Sequence, residues 1–323
     1  MIFVTGATGF LGHHLVPALV EAGYSVRALV RPTSRTGFLE GSYGVELARG
    51  DVLNADTLRD SMAGCETVVH AAGLFRFWGD PAQFENVNAR GAVHMMEAAL
   101  RHQVGRFIYV STVAVIGTPR PGVIIDEAYP CHPDDYYQRS KYDAENLMRM
   151  ANRALQFPVI ILRPGAFYGP WGRYAWNRLF FEDPLRGLRI QVHNGKRLTF
   201  PVFVPDVARA IVAALQQGRP GETYNISGDP ITHREANRII SKHAGISAFR
   251  FNCPAPLMLG LAKVLTKLAD RTGREPYYPT TLAKYVFHDW NVSSAKARAE
   301  LGLAPTPFDE GARQTVEWYR KTG

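Results

Sequence analysis

The run Thr5-Gly6-Ala7-Thr8-Gly9-Phe10-Leu11-Gly12 limits the fold of this chain more than any other segment. Before it stands Ile2–Thr5, an apolar and β-branched stretch that reads as a strand. After it, Leu11, Leu15, Ala18, Leu19 and Ala22 recur at the spacing of a helix laid on a sheet. Glycines at 6, 9 and 12 let the chain turn tightly, approach a pyrophosphate and pack the helix closely. The helix start then offers free N–H groups and a positive dipole end to the phosphates. A glycine triplet alone is weak evidence. At the first strand–helix turn it predicts a dinucleotide cradle built from Thr5, Gly6, Thr8, Gly9, Phe10, Leu11 and Gly12.

Strand and helix signals keep alternating. Strand-like runs occupy Ser25–Val30, Val45–Ala48, Thr67–Ala71, Arg106–Ser111 and Val159–Leu162. They are almost continuously apolar, as parallel strands buried on both faces must be. Helical stretches cover Ala89–Arg101 and Lys141–Ala154. The expected fold is α/β, a Rossmann-type doubly wound parallel sheet. After Pro164 the texture changes, and Gly165–Phe181 is aromatic and glycine-rich. Asp206–Leu215 and Thr223–Ser227 look like one more helix–strand unit. The expected organisation is a Rossmann domain over 1–165 with 204–228 added, and a smaller mixed C-terminal substrate lobe from 166–203 and 229–323.

With 323 residues, 46% of them hydrophobic, the chain can bury one large core or two interleaved ones. The net charge of +8 is scattered, with no stripe suited to nucleic acid, and fits a polyanionic cofactor. Cys65, Cys131 and Cys253 lie far apart and form no metal-binding pattern, which fits a reducing compartment. The chain starts directly on a strand, so a cytoplasmic protein without a leader is expected. No run of about 18 apolar residues exists for a membrane span. Leu257–Ala269, interrupted by Lys263 and Lys267, reads as a packed amphipathic helix, with membrane-surface contact as the alternative.

The second strand ends at Val30-Arg31-Pro32, where a site for NAD(H) usually carries an acid for the ribose 2′-OH. Arg31, with Arg35 close behind, suits a 2′-phosphate, so NADP(H) is expected ahead of NAD(H). Asp51 and Val52 follow the third strand and either hold adenine or form an ordinary turn with Asp51 as a cap. Tyr137 and Lys141 stand four apart, on one face of a helix. A phenol is a poor base at neutral pH. A neighbouring ammonium and a positive nicotinamide favour the phenolate, which suits general acid/base work.

Together these segments resemble the extended short-chain dehydrogenase/reductase family, also called the NAD-dependent epimerase/dehydratase family. The residues that carry the resemblance are the glycine triplet, Asp51-Val52, His70-Ala71-Ala72-Gly73, Asn86-Val87-Asn88, Ser111-Thr112, Tyr137 with Lys141, Arg163-Pro164-Gly165 and Tyr168-Gly169-Pro170. Ser293-Ser294-Ala295-Lys296-Ala297, Leu301-Gly302 and Val316-Glu317-Trp318-Tyr319 extend it to the tail. It implies that Tyr137 is the acid/base and that Lys141 holds the nicotinamide ribose. It also implies that Thr112, rather than its neighbour Ser111, binds the substrate oxygen. Ala71, Ala72 and Gly73 would line the cofactor, Pro164 and Gly165 would lie near the carboxamide, and Asn88 would anchor a helix. A homodimer is common in the family.

Departures from the family pattern narrow the reaction. Family dehydratases carry Asp-Glu after the catalytic Thr, whereas here Val113-Ala114 follows. Sugar-nucleotide enzymes grip a phosphate with an Arg at the position of Thr199, leaving only Lys196 or Arg197 nearby. Aromatic residues stand where substrate is expected, namely Phe75, Phe77, Trp78, Phe167, Tyr168, Trp171, Tyr174 and Trp176. The closest branch resemblance is to dihydroflavonol reductase, 3-beta-hydroxysteroid dehydrogenase and hopanoid-associated epimerases. The expected activity is hydride transfer between NADP(H) and a hydrophobic ketone, aldehyde or secondary alcohol. A nucleotide-sugar epimerase with tightly held NAD(P) is the alternative, and a non-enzymatic sensor on the same fold is a third reading.

Overall fold

The apolar runs become strands β1 (Ile2–Thr5), β2 (Val26–Val30), β3 (Val45–Arg49), β4 (Thr67–His70), β5 (Arg106–Val110) and β6 (Val159–Pro164). In the computed structural model, which describes residues 1–322, they form one parallel sheet with the strand Thr223–Ile226. From one edge the order is Thr223–Ile226, β6, β5, β4, β1, β2, β3. The chain therefore runs outward from β1 to β3 and returns to β4 on the other side of β1. That reversal opens a crevice at the carboxyl ends of β1 and β4.

Helices α1 (Gly12–Glu21), α2 (Ala55–Ser61), α3 (Pro81–Phe84), α4 (Gly91–Arg101) and α5 (Tyr136–Leu155) cover the sheet. On one face Leu15 and Leu19 of α1 share a core with Ile211 and Ala214 of the helix Val204–Gln217. Both leucines are fully buried, worth about 1.5–3 kcal/mol each. On the other face Leu58, Met95, Ala99, Ala144 and Met148 join α2, α4 and α5. A separate core holds Tyr168, Trp176, Phe181 and Phe203 against the helices His233–Ala244 and Phe308–Thr322.

The structure departs from the sequence reading at four places. Helix α5 begins five residues before Lys141, because the Asp135 carboxylate accepts the Gln138 N–H at 2.8 Å and caps it. Helix around Ala89 also begins earlier, with α3 and a π-turn at Glu85–Arg90 leading into α4. The segment Ala295–Leu301, expected in the lobe, packs Ala297 and Leu301 into the core of the sheet. The helix containing Leu257–Ala269 spans Ala255–Thr272 and is packed along its inner side only, where Ala262 and Ala269 are buried, while Leu257, Leu261, Val264 and Leu268 on the other side are exposed. Its apolar stripe has no protein surface to meet.

Glycine 12 sets how closely α1 approaches the β1 turn. A Cβ there would stand 2.0 Å from the Ala7 carbonyl oxygen, a backbone atom that cannot swing away. Gly12→Ala is expected to destabilise the chain by about 1–3 kcal/mol through overpacking. Urea unfolding measures this, and an unchanged midpoint would show that the close approach is not needed.

Candidate active site

The crevice is braced from within. Gly6 has φ +76°, and a Cβ there would lie 2.7 Å from the Ala71 carbonyl group. The Thr5 hydroxyl lies 2.8 Å from His70 Nδ1 and accepts the Ala72 N–H at 3.1 Å. Thr5 was expected to touch the cofactor, but its hydroxyl is spent on joining the ends of β1 and β4. Helix α1 starts with no side-chain cap and no acid in its first turn. Its first N–H groups and its dipole therefore suit a pyrophosphate. Around them lie Gly9, which is exposed, and Thr8 and Phe10, which are half-buried. Leu11 is buried in the core.

Arg31 and Arg35 are exposed beyond the end of β2, and among the described residues no carboxylate pairs with either. Asp51 accepts the Leu53 N–H at 3.0 Å, so it closes a turn whatever else it does. Val52 is buried against Gly91. At the end of β6, Pro164 is buried, and Gly165 donates its N–H to the Ile226 carbonyl at 2.8 Å.

Tyr137 and Lys141 lie in the first two turns of α5, and Lys141 is buried. Lys141 Nζ donates to the Val110 carbonyl at 2.6 Å and stands 4.4 Å from the Tyr109 ring centre. It also lies 3.8 Å from the place a Cβ on Gly73 would take, which brings it to the edge of the crevice. Thr112 follows β5, accepts the Ala114 N–H at 3.2 Å and faces the Tyr137 phenol. Ser111 faces Glu145 instead, without closing a full hydrogen bond. The geometry thus separates the two neighbouring hydroxyls.

Residues 2–227 match the NAD dependent epimerase/dehydratase family. The chain belongs to this family. It is an NAD(P)-dependent enzyme of the extended short-chain dehydrogenase/reductase type. It is 32% identical to the 4-hydroxy-2-methyl-3-oxo-4-farnesyl-3,4-dihydroquinoline-1-oxide ketoreductase of Stigmatella aurantiaca, over 94% of this chain and 91% of that protein. It is 30% identical to a dTDP-glucose 4,6-dehydratase of Streptomyces niveus, over 99% of this chain and 92% of that protein. In fold it is similar to UDP-glucuronic acid 4-epimerase from Bacillus cereus, solved with NAD, at a TM-score of 0.80 and 24% identity over 99% of both chains. Family membership therefore leaves reductase, dehydratase and epimerase chemistry to be decided within the site.

The expectation is that Lys141 and a positive nicotinamide together favour the Tyr137 phenolate, and the chain alone supplies only the first of these. Burial raises the Tyr137 pKa, Thr112 works against that rise, and Asp135 adds to it. Lys141 is itself desolvated and pushed down to about 7, with Glu145 partly opposing. Desolvation disfavours the charged form of Lys141, and Glu145 favours it. The chain by itself keeps the proton on Tyr137.

The sequence reading takes Asn88 as a helix anchor but misses the roles of Glu145, Arg163 and Gln138 in holding this pair. Glu145 stands one turn beyond Lys141 and accepts from Arg163 Nε at 2.9 Å and Nη2 at 2.7 Å, and from Arg149 at 2.6 Å. Burial works against its carboxylate, but Arg163 outweighs that and holds its pKa below the ordinary range. The i, i+4, i+8 spacing of Tyr137, Lys141 and Glu145 is a signal that could have found it. Asn88 accepts the Leu74 N–H at 2.7 Å and donates to Ser140 at 3.0 Å, tying the crevice loop to α5. Gln138 donates to Tyr285 at 3.0 Å, a contact 147 residues apart that no local pattern marks.

Aromatic residues wall the space beside Tyr137. The Phe75 ring lies 4.8 Å from Tyr137 and 5.6 Å from Tyr174. Phe77 packs 5.5 Å from Tyr285 and donates its N–H to the Tyr174 hydroxyl at 3.0 Å. Phe77, Trp78, Tyr137, Thr281 and Tyr285 line one cavity. A second, largely apolar cavity shares Pro279 with it and is lined by Leu179, Phe180, Val192, Met258, Leu282 and Phe287. Four of the aromatic residues expected on the substrate side lie elsewhere. Tyr168 is core, packed on Phe203 and Trp176. Phe167 packs on Phe10, and Trp171 stacks 4.4 Å from His13 on α1. Trp176 is core as well.

Lys141 gives the cofactor-free chain a pH signature. Its folded pKa of about 7 lies below the ordinary 10.5. Across that window the unfolded chain holds a proton that the folded chain has lost, so stability rises with pH. In Lys141→Met this rise should disappear, and below the window the variant should be the more stable protein. Urea unfolding at both ends of the window measures it, and identical pH profiles would sink the assignment.

Proposed function

We propose that this enzyme transfers a hydride between NADP(H) and a hydrophobic ketone, aldehyde or secondary alcohol. The observation that carries the reading is the fate of the phosphate-gripping position. Thr199 is buried and accepts the Trp176 indole N–H at 3.0 Å. Of the two nearby cations, Arg197 is paired with Asp289 at 2.7 Å, and Lys196 is exposed and lines neither cavity. Position 199 itself therefore offers a nucleoside diphosphate no cation. Apolar and aromatic walls take its place. The likeness to a ketoreductase of a farnesyl-bearing compound supports the same substrate class.

The residues present fit a dinucleotide. Gly6, Gly9, Leu11 and Gly12 would hold the pyrophosphate at the start of α1, with Ala71, Ala72, Gly73, Pro164 and Gly165 along the crevice. Arg31 would meet the 2′-phosphate. The bound cofactor supplies the hydride. Thr112 and Tyr137 would hold the substrate oxygen and fix the carbonyl for attack. Tyr137, which burial keeps protonated, would give its proton to that oxygen in reduction. Lys141 would hold the nicotinamide ribose beside Gly73, while Glu145, Arg163 and Asn88 keep α5 in place. Val113 and Ala114, both buried and apolar, cannot move a proton, which disfavours elimination of water.

The test is net consumption of NADPH with apolar aldehydes and ketones. An epimerase would show none. Tyr137→Phe should lower turnover by at least about a hundredfold, as expected for loss of a general acid. Its cofactor-induced rise in melting temperature should stay near that of the parent. Turnover retained in the variant would sink the mechanism.

Arg31→Asp should shift the ratio of NADPH to NADH affinity toward NADH by about tenfold or more, the loss of one charge-assisted contact. Fluorescence titration with both cofactors reads the ratio. A ratio equal to that of the parent would remove Arg31 from the site.

A further inference from the structure

The helix Ala255–Thr272 turns most of its length outward. Leu257, Leu261, Val264 and Leu268 stand at i, i+4, i+7 and i+11 and share one face. They are 62%, 45%, 64% and 55% exposed. Phe249 and Phe251 are exposed just before the helix, and Phe251 pairs with Ile190, which is exposed too. Apolar surface gathered in one stripe is a standing cost in water and marks a surface that something covers.

Charge indicates what covers it. Lys263, Lys267 and Arg271 stand at i, i+4 and i+8 along one edge of the stripe, and Arg274 follows the helix. All four are exposed, and among the described residues none is in an ion pair. Asp270 is the one acid of the helix, and it accepts the Trp78 indole N–H at 2.9 Å. Glu275 is taken by the Tyr174 hydroxyl. A second copy of the chain laid stripe against stripe would bring these cations together. Anionic headgroups around a shallow apolar layer match both features.

The position of the helix fits that partner. Its inner side supplies Met258, Leu259 and Ala262 to the apolar cavity that shares Pro279 with the space at Tyr137. We propose that the helix Ala255–Thr272 lies in the surface of an anionic bilayer, with Leu257, Leu261, Val264 and Leu268 in the acyl boundary. The contact is a surface one, since no helix among the described residues is long and apolar enough to cross a membrane. Docking there places the helix that walls the apolar cavity on the lipid. The proposal stands apart from the reaction, because its test reads binding alone.

The test is co-sedimentation of the full chain with vesicles. One set is phosphatidylcholine, and the other is phosphatidylcholine with phosphatidylglycerol. Binding is expected to the second set and to weaken as salt is raised. Lys263→Glu/Lys267→Glu/Arg271→Glu should reduce partition at least about tenfold, since each cation near an anionic surface contributes roughly fivefold. Leu261→Gln/Val264→Gln/Leu268→Gln should abolish it. These side chains are exposed, so both variants should keep the parent unfolding midpoint and cofactor response. The proposal is overturned by no binding to either vesicle or by binding that ignores the glutamine variant. It is also overturned by a dimer in light scattering that the glutamine variant dissociates in the absence of any vesicle binding.

Discussion

Lys141 is a buried amine held by the Val110 carbonyl and by the field of Glu145 one helical turn away. Glu145 in turn is closed by Arg163 from β6 and Arg149 from its own helix. Taking such charges out of water is costly, and only complete pairing offsets it. The arrangement therefore ties three elements to one geometry: the end of β5, the outer half of β6 and the first turns of α5. Tyr137 and Thr112 inherit their positions from it.

The crevice is built by a different force, the close approach of backbones. Gly6 against Ala71 and Gly12 against Ala7 leave no room for a Cβ. Thr5, His70 and the Ala72 N–H lock the two strand ends together. Asn88 then ties the loop after β4 to α5 through Leu74 and Ser140. These hydrogen bonds join the proposed cofactor cradle to Tyr137 and Lys141, in addition to the apolar cores that the same elements share. Preorganisation of this kind keeps reacting groups in place without a cost at the moment of reaction.

The cavity beside Tyr137, the proposed substrate side, is assembled from parts distant in sequence. Phe75 and Phe77 come from the loop after β4, Tyr174 from the segment after β6, and Thr281 and Tyr285 from the last third of the chain. Where a diphosphate would need a cation, Thr199 faces an indole and Arg197 faces a carboxylate. The outward stripe of the helix Ala255–Thr272 continues this apolar character to the surface. Cavity wall and surface stripe are two sides of one helix.

Much of this was legible in the linear chain. Nearly continuous apolar runs announced a parallel sheet, and the inner strands are buried on both faces while the edge strand β3 is not. The glycine triplet and the Tyr137/Lys141 spacing are local patterns, so local reading found them. Thr112 emerged by likeness to a family, not by its own chemistry. Long-range partners stayed hidden: Gln138 with Tyr285, Glu145 with Arg163, Trp78 with Asp270. Tyr168, Phe167 and Trp171 look like Phe75 and Trp78 as residue types, and only packing sends the first group to the core or to α1. The stripe at Leu257–Leu268 gave the same periodicity a packed helix would give. Sequence determined that this helix has an apolar face, since side-chain direction follows from helical geometry. Only the tertiary structure decided that the face meets no protein, because burial depends on what the rest of the chain brings opposite to it.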